Sequence, residues 1–286
     1  MAESLAHTFG QIIGNVLEDA IEPALGKFAD EHSLYLDKKG PRKAREGKKV
    51  TWTDRYGNAH DLDFVIERGG TDEAIGAPVA FIETAWRRYT KHSRNKAQEI
   101  QGAIQALALT HKNSCPFIGA ILAGVFTDGA LNQLKSLGFH IMFFPYDSIV
   151  RAFQTVGIDA SFDEDTPEKE FRKKLSRWNA ASKKAKRDVA AHLVKIHQKD
   201  IADFFGALDK TVTRGIEKIV VIPLHGQETE CSSIGEAIAF LSSYQSTSVH
   251  GNVYKYEINI RYNNGDKITA EFTEKTTALE FLNKYK

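Results

Sequence analysis

Asp63 and Glu83 are the residues in this chain best placed to do chemistry. Strands over 60–67 and 79–85, joined by the loop from Arg68 to Pro78, are expected to be antiparallel neighbours with a midpoint near residue 73. Each acid then lies ten positions from the turn. Direct opposition in a hairpin puts two side chains on one face, about 5 Å apart at Cβ. Two carboxylates that close repel unless a cation or a shared proton compensates. Hard oxygen donors of this kind suit Mg2+, which is held by one or two carboxylates together with water and substrate phosphate. The plainer alternative is that Asp63 opens a strand at a turn and Glu83 pairs with Arg87 or Arg88. Glu83, however, ends the apolar run Val79-Ala-Phe-Ile, where a carboxylate is costly without a partner. Arg87, Arg88, Lys91 and Arg94 follow at once and place phosphate-binding groups beside the acids. Asp61, opposite Ala85 in the same register, is a reserve metal ligand or simply a turn-end carboxylate.

The surrounding pattern supplies elements to hold such a site. Phe9, Ile12, Ile13, Val16, Leu17, Ala20 and Ile21 have the spacing of an amphipathic helix, which Pro23 would kink or end. Val50 to Thr53 and Asp63 to Ile66 read as strands around the turn Arg55-Tyr-Gly-Asn, and Val79 to Thr84 as a central strand. Ser93 is a suitable cap for a helix carrying Ala97, Ile100, Ile104 and Leu107. Phe117 to Phe126 is a buried strand, Asp128 to Leu137 a helix, His140 to Phe144 a strand, and Asp147 to Phe153 a short helix. The expected fold is α/β, with a mixed central sheet flanked by helices over 1–160. A basic helical region is expected over 165–210 and a small α/β module over 215–286. In that module Tyr254, Tyr256, Ile258, Ile260 and Tyr262 alternate with polar residues, most simply as a core face, and Asn264-Gly265 turns the chain into Ile268 to Phe272. Thr277 is positioned to cap a last helix. No internal repeat or low-complexity tract is evident.

At 286 residues the chain is long enough for two domains, with 42% hydrophobic and 26% charged residues, which excludes wholesale disorder or a rod. The longest nearly apolar run is roughly half a membrane helix, no signal-peptide pattern opens the chain, and the two cysteines make no metal or disulfide framework. A cytoplasmic protein without a membrane partner is expected. No Gly-Lys-Ser/Thr occurs, so no nucleotide cofactor is expected. The net charge is only +1, yet the basic residues come in blocks. Lys38 to Arg55 holds eight basic residues and two acidic, Arg87 to Lys96 has no acid, and Glu168 to Lys199 holds eleven basic against three acidic. Such blocks are either solvated helix faces or the footprint of a polyanion-binding surface.

Helix with Glu18, hairpin, Asp63, apolar strand, Glu83 and then a helix: this order over residues 9 to 150 resembles the PD-(D/E)XK nuclease superfamily, to which many type II restriction endonucleases belong. The resemblance implies a restriction-endonuclease-like core in which Asp63 and Glu83 bind Mg2+ and act in catalysis. Glu18 is similar to the helix glutamate that often assists the site, or is a solvent-facing helix residue. Gln98 is similar to a polar residue some relatives use near the phosphate. Two departures stand out. Leu62 replaces the proline, and Ala85 stands where the family has the lysine that activates the attacking water. The cation has migrated to Lys96, Lys91 or Arg87, or Ala85 marks an inactivated variant, or the chain binds DNA without cutting it.

The resulting expectation is a Mg2+-dependent endonuclease acting on double-stranded DNA, restriction-like and homodimeric by analogy. The alternative is a non-catalytic DNA-binding protein on the same scaffold. Arg87, Arg88, Lys91 and Arg94 are expected along the DNA backbone, with Lys43, Arg45, Lys183 and Lys184 on elements that could read bases.

Overall fold

The first helix, α1 (Leu5–Glu31), buries one stripe comprising Phe9, Ile13, Val16, Leu17, Ala20, Ile21, Leu25 and Phe28. Ser4 caps it, its hydroxyl accepting from the His7 N–H at 3.2 Å. Pro23 does not end the helix. It lies on the exposed side of the helix, away from the buried stripe.

The computed structural model describes residues 4–224, 227–245 and 255–286, so Tyr254 and His225 lie outside the described residues. The chain divides into two units, with the boundary between Asp209 and Lys210. Among the described residues no helix is long and apolar enough to cross a membrane.

The first unit is α/β. Its five-stranded mixed sheet runs in the order β1 (Tyr35–Lys38), β4 (Phe64–Arg68), β5 (Ala77–Arg87), β6 (Phe117–Gly124) and β7 (His140–Pro145). The first three strands pair antiparallel and the last three parallel. Strands covered on both faces read as near-continuous apolar runs, which is the character of β5 and β6. On one face Phe81, Ala85, Ala120 and Leu122 share a buried cluster with Ala97, Ile100, Ile104 and Leu107 of α2 (Thr90–Thr110) and with Ala130 and Leu134 of α3 (Asp128–Ser136). The alternate side chains meet α1 and α4 (Tyr146–Gln154), which contact the same strands.

The segment 60–67 is two strands, not one. β3 (Ala59–Leu62) pairs with β2 (Val50–Thr53) in a separate two-stranded ribbon, and the chain breaks at Asp63 before β4 begins. The strand beside β4 is instead β1, which no periodicity announces. Its Asp37 is a buried acid, so apolar alternation is absent. Asp37 and the fully buried Glu67 share Arg42. Arg42 donates two parallel bonds to Glu67, at 2.7 and 2.9 Å, lies 2.8 Å from Asp37, and also donates to the carbonyls of Thr71 and Ala74. The Gly76 N–H completes Glu67 at 2.7 Å.

Two helix starts differ from expectation. α2 begins at Thr90 after the extended residue Tyr89, so Ser93 lies buried in its first turn and donates its hydroxyl to the Thr90 carbonyl. The last helix starts at Lys275 with Glu274 as its cap, and the Thr277 hydroxyl donates back to the Glu274 carbonyl. The basic region comprises α5 (Glu168–Ala180), α6 (Lys183–Ile196) and α7 (Gln198–Val212). α5 and α6 pack on α1, and α6 also on α4, so the region up to Asp209 is part of the first unit.

The second unit has the order β8 (Ile216–Pro223), β9 (Thr229–Cys231), α8 (Ile234–Ser243), β10 (Tyr256–Tyr262), β11 (Lys267–Phe272) and α9 (Lys275–Asn283). Its sheet runs β11-β10-β8-β9, antiparallel throughout. Tyr256, Ile258, Ile260 and Tyr262 are buried on one face, as their alternation predicts. The unit does contain an internal repeat. Strand, strand, helix occurs twice, and Ala237-x-x-Phe240-Leu241-x-x-Tyr244 recurs as Ala278-x-x-Phe281-Leu282-x-x-Tyr285. Both helices bury the alanine and leucine of that pattern and set the phenylalanine ring against the tyrosine.

Candidate active site

The register of β4 on β5 places the acids. Phe64 pairs with Ile82, Val65 with Phe81 and Ile66 with Ala80, a ladder centred on residue 73. One further step brings Asp63 beside Glu83, at the point where β3 leaves for its ribbon. Asp63 is tied to β5 itself. Its Oδ2 accepts from the Thr84 N–H at 2.8 Å and from the Thr84 hydroxyl at 2.6 Å. The other oxygen, Oδ1, has no hydrogen bond from protein among the described residues.

Glu83 Oε1 accepts from Lys96 Nζ at 3.1 Å. Lys96 stands in the second turn of α2, which packs on this strand. Glu83 Oε2 is buried and has no hydrogen-bond partner among the described residues. A buried carboxylate oxygen without a donor is costly unless the group is protonated or meets a cation. Burial, and then the negative charge of Asp63, push the Glu83 carboxyl up to about 7, against the pull of Lys96. Glu18, on the polar side of α1, is also raised to about 7, again by burial first and Asp63 second, with Lys39 opposing. The helix glutamate expected from the sequence therefore lies within electrostatic reach of Asp63.

Glu18, Asp63, Glu83 and Lys96 line one cleft of about 1050 Å³, together with Thr84, Ala85, Arg87 and Arg88. The fit to a hard divalent cation rests on the unpartnered Glu83 Oε2 and the adjacent Asp63. Mg2+ needs no more than one or two carboxylates, with water and phosphate filling the other positions. Among the described residues no group of three or more His, Cys, Asp or Glu forms a metal cage. Ala85 is 5% exposed, within the core cluster beneath α2. The only lysine that touches Glu83 among the described residues comes from α2.

The other expected residues divide by position. Arg87 lines the cleft and donates to its neighbour's carbonyl. Arg88 lines it too, but its Nε donates to the Phe162 carbonyl and its guanidinium lies 4.0 Å over the Tyr146 ring, so it is packed into the wall. Lys91 and Arg94 are exposed on α2 outside the cleft, as is Gln98. Arg45 is a correction: its guanidinium bonds Asp37 and the carbonyls of Lys38 and Gly47 and is only 8% exposed. Lys43 is exposed but faces Asp72 and Glu73, which cancel its charge. Asp61 is no reserve ligand, because Lys49 and the Thr51 hydroxyl hold its carboxylate on the ribbon. Lys183 and Lys184 are exposed at the start of α6. Lys39, Thr84, His92 and Asn95 line the cleft without having been singled out from sequence. Thr84 was the most accessible of these, because it immediately follows Glu83 on a strand.

No family model matches this chain, and no curated protein matches it. One solved structure, titled "Crystal Structure of Protein of Unknown Function AF1548", is 11% identical, with 67% of this chain and 98% of that chain covered and a TM-score of 0.29.

Proposed function

We propose that this protein is a Mg2+-dependent nuclease that hydrolyses the phosphodiester backbone of double-stranded DNA, on a core of the PD-(D/E)XK kind. The observation that carries this reading is the Lys96–Glu83 contact beside Asp63. It supplies a cation to the glutamate that Ala85 leaves without one, and of the three accounts of Ala85 it favours migration. Asp63 and the free oxygen of Glu83 would hold the metal, which when bound lowers the pKa of a coordinated water and neutralises charge on the phosphate. Lys96 favours the ionised form of Glu83 against burial and the Asp63 charge, and presents an ammonium group where charge grows on the phosphoryl oxygens. Thr84 fixes the Asp63 carboxylate so that it need not reorganise during reaction. Glu18 is placed to accept a proton near neutral pH. Arg87 and Lys39 rim the cleft with positive charge, and Lys91 and Arg94 extend that charge along α2. Cutting both strands would call for two copies of the chain.

The test is a supercoiled plasmid incubated with Mg2+ or with EDTA. Nicked or linear product that requires Mg2+, and that disappears in Asp63→Asn and Glu83→Gln, is the expected result. DNA retention with no cleavage under any metal would instead identify a binding protein.

A further inference from the structure

The ribbon β2–β3 has no place in the central sheet, and its tip is built with unusual care. Asp54 organises the turn. Its carboxylate accepts from the N–H groups of Tyr56 and Asn58, from the Asn58 amide and from His60 Nε2, at 2.8 to 3.3 Å. The Arg55 N–H donates to the Thr110 hydroxyl at 2.9 Å, which pins the turn to the far end of α2. Beneath it Trp52 packs edge-on against Phe81 and His111. What this rigid base presents outward is polar and aromatic. Tyr56 is 74% exposed, the most exposed large hydrophobic side chain among the described residues. The Arg55 guanidinium lies 4.7 Å over its ring and donates to its hydroxyl at 2.7 Å. Arg55 makes no ion pair among the described residues. An exposed aromatic ring costs free energy in water, and a cation without a carboxylate partner is free to meet an anion.

The ribbon is also continuous with the candidate active site, because β3 runs straight into Asp63. Thr110 stands fourteen positions after Lys96 on α2, about 21 Å at the rise of an α-helix. At 3.4 Å per step that is about six base pairs of B-DNA. A two-stranded ribbon fits the major groove, and an Arg–aromatic pair suits base edges and stacked faces.

We propose that the β2–β3 ribbon is the DNA-reading element of this protein, with Arg55 and Tyr56 entering a groove of the duplex about six base pairs from the scissile phosphate. The inference rests on the nuclease reading for its substrate. A rigid tip suits this role, because no ordering of the turn is needed on contact.

The experiment measures binding of a labelled random-sequence 40-base-pair duplex in EDTA, so that cleavage plays no part. Arg55→Ala/Tyr56→Ala is expected to bind about tenfold or more weakly than the native chain. Tyr56→Phe, which keeps the ring, is expected to bind within about twofold. Both side chains are exposed at the tip, so the melting temperature should be unchanged and serves as the folding control. In Mg2+, the double variant should also lose preference among cleavage positions on a plasmid. Equal affinity and an unchanged cleavage pattern in the double variant would overturn the inference while leaving the nuclease reading intact. Failure of the native chain to bind duplex would overturn it outright. Cleavage lost in Glu83→Gln with duplex binding kept would bear on the nuclease reading alone.

Discussion

Lys96→Ala separates the migrated-cation account from a merely structural lysine. In the native chain Lys96 Nζ is 3.1 Å from Glu83 Oε1, and both side chains are mostly buried, at 18% and 14% exposed. At an effective dielectric of 20 that separation corresponds to about 5 kcal/mol of attraction, an upper bound. The stability cost of the variant is much smaller, because Glu83 can take up a proton instead. With the native carboxyl at about 7, protonation at pH 8 costs only about 1.4 kcal/mol. The variant should therefore fold, lose little stability at pH 6 and about 1–2 kcal/mol at pH 8. Activity is affected on two counts. A protonated Glu83 is a poor metal ligand, and the cation facing the phosphate is gone. Loss of one preorganised charge donor costs about 10²–10³ in rate. The assay is plasmid cleavage in Mg2+ from pH 6 to 9. The expected results are a rate at least about a hundredfold lower at pH 7.5 and a rising limb displaced to higher pH. Ala85→Lys in the Lys96→Ala background places an ammonium on the same strand face as Glu83 and should restore part of the rate. Native rate and native pH profile in Lys96→Ala would refute the reasoning.

The raised carboxyls predict a pH effect on stability. Their folded pKa values, about 7 for both Glu83 and Glu18, lie above the ordinary 4.5, so stability is fullest below that value and falls as pH rises through 7, by on the order of 3 kcal/mol for Glu83. Melts at pH 5.5 and 8.5 should show about 2 kcal/mol of this loss from Glu83, since ionisation already costs stability above 4.5, with Mg2+ reversing it at the higher pH; a Glu83→Gln chain with the same slope would contradict the assignment. Arg42→Ala leaves Glu67 and Asp37 buried without their shared cation and should cost about 3–5 kcal/mol in urea unfolding; a loss under about 1 kcal/mol would show the network to be dispensable. Gly124 has φ +101°, and a Cβ there would lie 2.1 Å from the Arg87 carbonyl, so Gly124→Ala should lower the melting temperature and cleavage together by displacing the end of β5; unchanged cleavage would argue against a rigid cleft wall. Lys183→Ala/Lys184→Ala should flatten the slope of log affinity against log salt by about 2 if both lysines meet phosphate, and an unchanged slope would place DNA elsewhere.

The fold was legible where hydrophobic periodicity was strong. α1, β5, β6 and the register centred on residue 73 all follow from apolar spacing and loop symmetry. Features governed by polar burial were hidden. β1 carries no signal in the sequence because Asp37 is satisfied by Arg42, a partner that only the fold brings near. The same network turned Arg45 from an expected DNA contact into a structural cation, since charge counted along the chain does not show which charges are already paired. The break at Asp63 was masked because 60–67 is a plausible strand throughout, although its two halves pair with different partners. The repeat in the second unit is faint in the sequence because only its helices share a residue pattern, while its strands share no more than apolar alternation. Within the candidate site, Asp63 and Glu83 were readable from register. The choice among Lys96, Lys91 and Arg87 was not, because it depends on where the first turns of α2 lie over β5.

The central claim is that Asp63 and Glu83 together hold one divalent ion. Crystals soaked in Mn2+ and measured at the manganese edge test it most directly. The account predicts one strong anomalous peak in the cleft within bonding distance of both carboxylates, lost in Glu83→Gln. A peak elsewhere, or a cleft without manganese while Lys96 still holds Glu83, would contradict it.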